Sequence, residues 1–262
     1  MQNLITILLS VTLLVACVND QGIERQLPEL TPPIKTPIEL IEEAHKKDEV
    51  NSNKAIQFDI QLFFGGKERL NANLTLAANS TKGIIESNDS SVVLYVEDKV
   101  YYSDSLKNPK SVRFSAYTWP YFALLPYKLS DPGTHWGEPF SETLADKNLN
   151  CQKLTFEQGV GDAPDDWYLV YSNIENNLIE YAAYIVTAGS SQVEAEKDPH
   201  AIEYRDYKTV SGIPFAHEWI FWEWREKEGL TKELGHAKLS DIQVVDLDED
   251  KFLIRDSYLT AE

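Results

Sequence analysis

The chain has 262 residues, 43% hydrophobic and 11% aromatic, which is enough apolar material for one sizeable core and argues against wholesale disorder. Its net charge of −18 argues against a nucleic-acid ligand, because phosphate binding needs a cationic surface, and against ionic docking on anionic lipid. Two cysteines, Cys17 and Cys151, are too few for a disulfide scaffold or a cysteine metal site, and neither a metal nor a cofactor is expected. In chain order, residues 1–16 open with Met-Gln-Asn and continue as an uncharged apolar run from Leu4 to Ala16. That run is shorter than the roughly 20 residues of a membrane span and suits the apolar region of a secretory signal.

The next junction, Leu14-Val15-Ala16-Cys17, resembles the lipobox of bacterial lipoproteins. The resemblance implies that residues 1–16 are a lipoprotein signal peptide and that Cys17 is the lipidation site. Its thiol would carry diacylglycerol and its new amino terminus an acyl chain. Each buried methylene contributes about 0.8 kcal/mol, so several chains anchor where one does not. One departure from the pattern is the absence of Lys or Arg before the apolar run. Val18, not Asp, follows the cysteine. By the same resemblance this implies an outer-membrane lipoprotein, and the lack of an acidic run after Cys17 favours the periplasmic side. With Cys17 lipidated, Cys151 is a lone thiol, expected to be a small buried apolar residue without a disulfide.

Residues 17–37 hold Pro28, Pro32, Pro33 and Pro37 and read as a tether; residues 38–262 read as a single β-rich domain. Thr36-Pro37-Ile38-Glu39 starts a helix with Leu40, Ile41 and Ala44 on one face, fading near Asn51. Ile56 to Phe64 and Leu70 to Leu76 alternate apolar and polar on either side of Gly65-Gly66, which predicts a hairpin. Val92 to Val96 and Val100 to Tyr102 predict a second. Further strands are expected at Trp167 to Ser172, Ile179 to Thr187, Ile202 to Val210, Phe215 to Trp224 and Leu230 to Val245. No helix–strand alternation appears, so a doubly wound parallel sheet is not expected.

Tyr117 to Tyr127 breaks the β pattern. Pro120 suits a first helical turn and Pro126 a stop, giving a helix of one or two turns that is apolar nearly all round. It is either a core plug between sheet layers or a lid over an apolar cavity. In His217 to Trp224 the odd positions place His217, Trp219 and Phe221 on one face of a strand and the even positions place Ile220, Trp222 and Trp224 on the other. Both faces must therefore be covered, one of them by core or by a cavity.

Catalytic spacing is not found: there is no Gly-x-Ser-x-Gly, no His-Glu-x-x-His and no phosphate loop. Glu218 and Glu223 are two carboxylates, as in a glycosidase, but an odd separation puts them on opposite faces of a strand. Asp162, Asp165 and Asp166 lie in a Gly/Pro loop, and the run Asp246, Asp248, Asp250 lacks the turn glycine and distal glutamate of a calcium loop; both clusters read as solvated loops.

The lipobox, the first helix, the long meander, the segment Trp119-Pro120-Tyr121-Phe122-Ala123-Leu124-Leu125-Pro126, and Tyr204 to Pro214 running into an aromatic strand are together similar to uncharacterised bacterial outer-membrane lipoproteins related to the LolA/LolB lipoprotein-sorting proteins. The similarity covers about residues 38 to 255. It implies an α+β, mostly antiparallel fold: a curved, incomplete β-barrel with a few helices plugging its concave face, a face that holds acyl chains in the better-known relatives. The resulting expectation is a non-enzymatic, lipid-anchored periplasmic module for a lipid, acyl chain or other hydrophobic ligand, lined by Trp119, Tyr121, Phe122, Leu125, Trp219 and Phe221. The alternatives are an assembly lipoprotein meeting a partner protein through its acidic surface, and a hydrolase whose site is assembled across strands.

Overall fold

Thr36 begins the first helix because its hydroxyl accepts from the Glu39 N–H while the Glu39 carboxylate accepts from the Thr36 N–H, a reciprocal cap. A computed structural model describes residues 34–50 and 53–261, of which Lys35 onward form one compact unit. The signal-peptide and Cys17 assignments, and most of the tether, lie outside the described residues. Helix α1 (Pro37–Ala44) buries Ile38 and Ile41 and ends before the expected Asn51, with His45 as its cap.

The predicted first hairpin forms as β1 (Lys54–Phe64) and β2 (Lys67–Ala77). Gly65 and Gly66 turn it at φ of +62° and +72°, values that favour glycine. Strands β3 (Lys82–Ser87), β4 (Val92–Val96) and β5 (Lys99–Tyr102) continue the meander. Helix α2 (Pro109–Leu124) and a 3-10 turn over Leu125–Tyr127 follow. Then come β6 (Thr134–Trp136), β7 (Phe140–Leu144), β8 (Lys147–Phe156), β9 (Tyr168–Asn173), β10 (Ile179–Tyr184) and the short α3 (Gln192–Ala195). The long strands β11 (His200–Val210), β12 (Ile213–Arg225) and β13 (Gly229–Asp246) precede a 3-10 turn over Glu249–Phe252 and a last strand, β14 (Leu259–Ala261).

All strands join one antiparallel sheet in the order β14-β5-β4-β3-β2-β1-β13-β12-β11-β10-β9-β8-β6, with β7 also on β8. Pairing of β1 with β13 welds the first meander to the second. Among the described residues the order ends on β14 and β6 without closing. A single helix touches both arms of the sheet. Tyr117 donates to the Glu97 carbonyl in the β4–β5 turn at 3.2 Å, and Tyr204 of β11 donates to the Phe122 carbonyl at 2.9 Å. The sheet therefore curves around α2, an α+β fold built as an open, incomplete barrel.

Strand β12 covers both faces as its alternation requires. Trp219 and Phe221 join the inner core with α2, while Trp222 and Trp224 pack outside with Tyr171, Tyr181 and Leu149. The plug differs from its expected length. It has 16 residues, not one or two turns, because Asn108 caps the Ser111 N–H at 3.3 Å and Pro109 occupies the first turn. Pro120 thus lies inside the helix, where it withholds the N–H that residue 116 would receive. Strands β3, β6, β7, β8 and β14 were not anticipated.

Candidate functional site

Helix α2 has a filled side and an open side. On the filled side the Trp119 ring lies 6.0 Å from Phe221 and 6.3 Å from Phe122, and Phe122 lies 6.0 Å from Phe221. Trp119, Phe122, Leu125, Trp219 and Phe221 are all buried, Leu125 and Phe221 completely. The space left between plug and β12 is about 30 Å³, bordered by His45, Phe58, Phe122, Tyr207 and Trp219. That is room for about one water, not for an acyl chain.

The open side carries a cavity of about 530 Å³. Tyr117, Pro120, Tyr121 and Phe122 supply its helical wall; Phe156, Tyr168 and Tyr184 supply the sheet wall. Residues 157–167 form the third side. Val160 of that loop sits so close to Gly133 that a Cβ there would meet its methyl group at 2.5 Å, and Gly133 has a φ of +84°. Only glycine lets the loop close down at this point. The Tyr121 ring lies 5.3 Å from Tyr168 and 6.4 Å from Phe156, and Tyr168 stacks on Tyr184 at 5.9 Å.

Of the six predicted lining residues, Tyr121 and Phe122 border this cavity. Trp119, Leu125, Trp219 and Phe221 are brought together with Phe122 as the packing behind it. Phe114, Phe156, Tyr168 and Tyr184 belong to the walls and were missed. Their signal was weak, because three of them stand at strand ends where no alternation can be counted.

Polar groups punctuate the apolar walls. The Tyr121 hydroxyl is buried and has no hydrogen-bond partner. Burial first, then the Asp131 and Asp166 carboxylates, push its pKa up, so it remains a donor. Asp166 accepts from the Thr187 N–H and hydroxyl, each at 2.7 Å, while its own burial raises its pKa. At the rim, Arg113 reaches from α2 to Asp162, with Nε at 2.9 Å, and donates to the Asp98 carbonyl at 3.2 Å. Lys128 pairs with Asp131. Asp165 accepts from Gln158 at 3.0 Å. The acidic loop expected to be merely solvated is therefore a fastened wall. Asp246 pairs with Lys54, and Asp248 accepts from the Asp250 N–H. Among the described residues no group of three or more His, Cys, Asp or Glu could hold a metal ion.

Glu223 faces His200 across the β11–β12 register, but its carboxylate is engaged by Arg225, and neither borders the cavity. Among the described residues no helix is long and apolar enough to cross a membrane.

No family model matches the chain. No curated protein matches it either. Solved structures do. A LolA superfamily protein from Nitrosomonas europaea superposes with a TM-score of 0.54 at 12% identity, covering 82% of this chain and 97% of that one. A domain described as an outer membrane lipoprotein-sorting protein, from Vibrio parahaemolyticus, gives a TM-score of 0.52 at 11% identity, covering 82% and 95%. Identities this low speak for the fold alone, and they match the open curved sheet with its inserted helix. The chain has the fold of the LolA/LolB-like superfamily.

Proposed function

We propose that this protein is a non-enzymatic, lipid-anchored periplasmic module of the outer membrane that binds a lipid, acyl chain or other hydrophobic ligand beside α2. The observation that carries this reading is the cavity of about 530 Å³ walled by aromatic side chains. Its size falls within the range of about 300–1,000 Å³ of small-molecule sites, and apolar surface placed there gains about 25 cal/mol per Å² removed from water. Tyr121 and Phe122 touch the ligand; Trp119, Leu125, Trp219 and Phe221 hold the helix that presents them. Lipidated Cys17 supplies the anchor. The name of the Vibrio parahaemolyticus relative, lipoprotein sorting, is in keeping with a lipidic ligand.

The test is native mass spectrometry of the full chain extracted from membranes, set beside Val186→Trp, which fills the cavity from β10's end. The wild-type protein is expected to carry non-covalent lipid at near one equivalent, and Val186→Trp to lose most of it while its melting temperature moves by only a few degrees. Equal lipid content in both proteins, or none in either, overturns the reading.

A second reading, an assembly lipoprotein meeting a partner protein, draws on a groove of about 830 Å³ bordered by Tyr181, Trp222, Glu203, Asp206 and Glu218. Under it, Val186→Trp leaves cross-linking to a partner in cells unchanged.

A further inference from the structure

A cavity that takes apolar chains needs no polar atom at its wall, yet this one buries a hydroxyl. Leaving a buried donor without a partner costs about 1–3 kcal/mol, and nothing in the protein relieves Tyr121 of that cost. A phenylalanine would fill the same space between Tyr168 and Phe156 without the penalty. The second observation is the sign of the charges around the cavity. Its described lining holds five carboxylates against two cations, Arg113 and Lys128. Both cations are already engaged, Arg113 by Asp162 and Lys128 by Asp131. The carboxylates that act on Tyr121 are those of Asp131 and Asp166.

We infer that the cavity selects a hydrophobic ligand whose buried polar atom is an uncharged oxygen acceptor, such as an ester or amide carbonyl bonded by the Tyr121 hydroxyl, and that Asp166 turns away ligands with an anionic head. This deepens the proposed function and rests on it. A carboxylate or phosphate placed against Tyr121 would lose its hydration beside the Asp166 carboxylate, which Thr187 rather than a cation holds, while Asp131 and Lys128 already satisfy each other and leave no cation for the ligand. An ester or amide oxygen meets the donor and adds no charge. Tyr121 thus acts as a specificity determinant, and Asp166 as the like-charge barrier, held in place by its two bonds from Thr187.

Titration calorimetry of the delipidated full chain at pH 7.5, with 1-monodecanoylglycerol and with decanoate, tests this. The two probes share one acyl chain and differ in the charge of the head. The neutral probe is expected to bind at least about tenfold more tightly than decanoate, one hydrogen bond's worth of discrimination or more. Tyr121→Phe is expected to weaken the neutral probe about five- to tenfold and to weaken decanoate by less, so that the preference between the two narrows. Asp166→Asn keeps an acceptor for Thr187, removes the charge, and is expected to strengthen decanoate severalfold without affecting the neutral probe. Decanoate binding as tightly as the neutral probe, or preferences unmoved by both substitutions, overturns the inference while leaving a hydrophobic site intact. Failure of both probes to bind the wild-type protein overturns the proposed function and the inference with it.

Discussion

Helix α2 meets aromatic residues on both sides, yet one side interlocks and the other leaves a cavity of about 530 Å³. Supply of large apolar groups does not separate them. The filled side faces the middle of long strands, where registers such as Ile202 with Phe221 and Tyr204 with Trp219 set side chains in continuous rows. The open side faces strand ends. Phe156 is the last residue of β8, Tyr168 the first of β9 and Tyr184 the last of β10. Rows stop there, and a loop takes over as the wall. Space arises from where the strands end.

The sharpest way to break this contrast is on the filled side. Phe221→Ala is expected to cost about 3–5 kcal/mol in denaturant unfolding, since its fully buried ring contacts Trp119, Phe122 and Phe64. A loss below about 1 kcal/mol would mean that the filled side is as loose as the open one.

A smaller effect on the same side comes from His45. It is fully buried between Tyr127 and Tyr207, its Nε2 accepts from the Ile179 N–H at 3.1 Å, and burial lowers its pKa from 6.5 to about 3. Between those values the unfolded chain binds a proton that the folded one refuses, so stability is full above about pH 6.5 and falls as pH drops toward 3. The expected contribution is about 2 kcal/mol between pH 7 and pH 5. Urea midpoints of wild type and His45→Gln at the two values check it; parallel losses in both proteins would remove His45 as the cause.

The smallest effect belongs to the open side. Arg113→Ala removes the tie between α2 and the 157–167 loop and is expected to cost at most about 1 kcal/mol of global stability. Amide hydrogen exchange in residues 157–167 is nevertheless expected to rise, with β11 and β12 unaffected. Uniform exchange across both regions would show that the loop is not a separately opening wall.

Strict alternation about Gly65-Gly66 made β1 and β2 readable, and runs of β-branched and aromatic residues between turns made β4, β5 and the strands from β9 to β13 readable. In β8, Lys153 breaks the apolar row of Leu149 and Cys151 and the buried position moves to Leu154, and β3 is short and begins Lys82-Gly83, so neither stands out. Helix α2 lost its first half to Lys110, Ser111 and Arg113, which hide the buried spacing of Val112, Ala116 and Trp119, although Asn108-Pro109 carried the start signal. The aromatic cluster around Trp219 was readable as chemistry. Its neighbours were not, because the cavity depends on long-range placement of three strand ends beside one helix.

Cys151 lies on β8 opposite Phe140 as a free thiol, 2% exposed, and burial pushes it up to about 12. At neutral pH only about one molecule in a hundred thousand then presents the thiolate that electrophiles and oxidants attack. Modification at this position waits for β7 and β8 to part. Its labelling rate in native buffer, mapped by peptide, is thus a built-in clock for opening at that edge of the sheet, independent of anything that happens at α2.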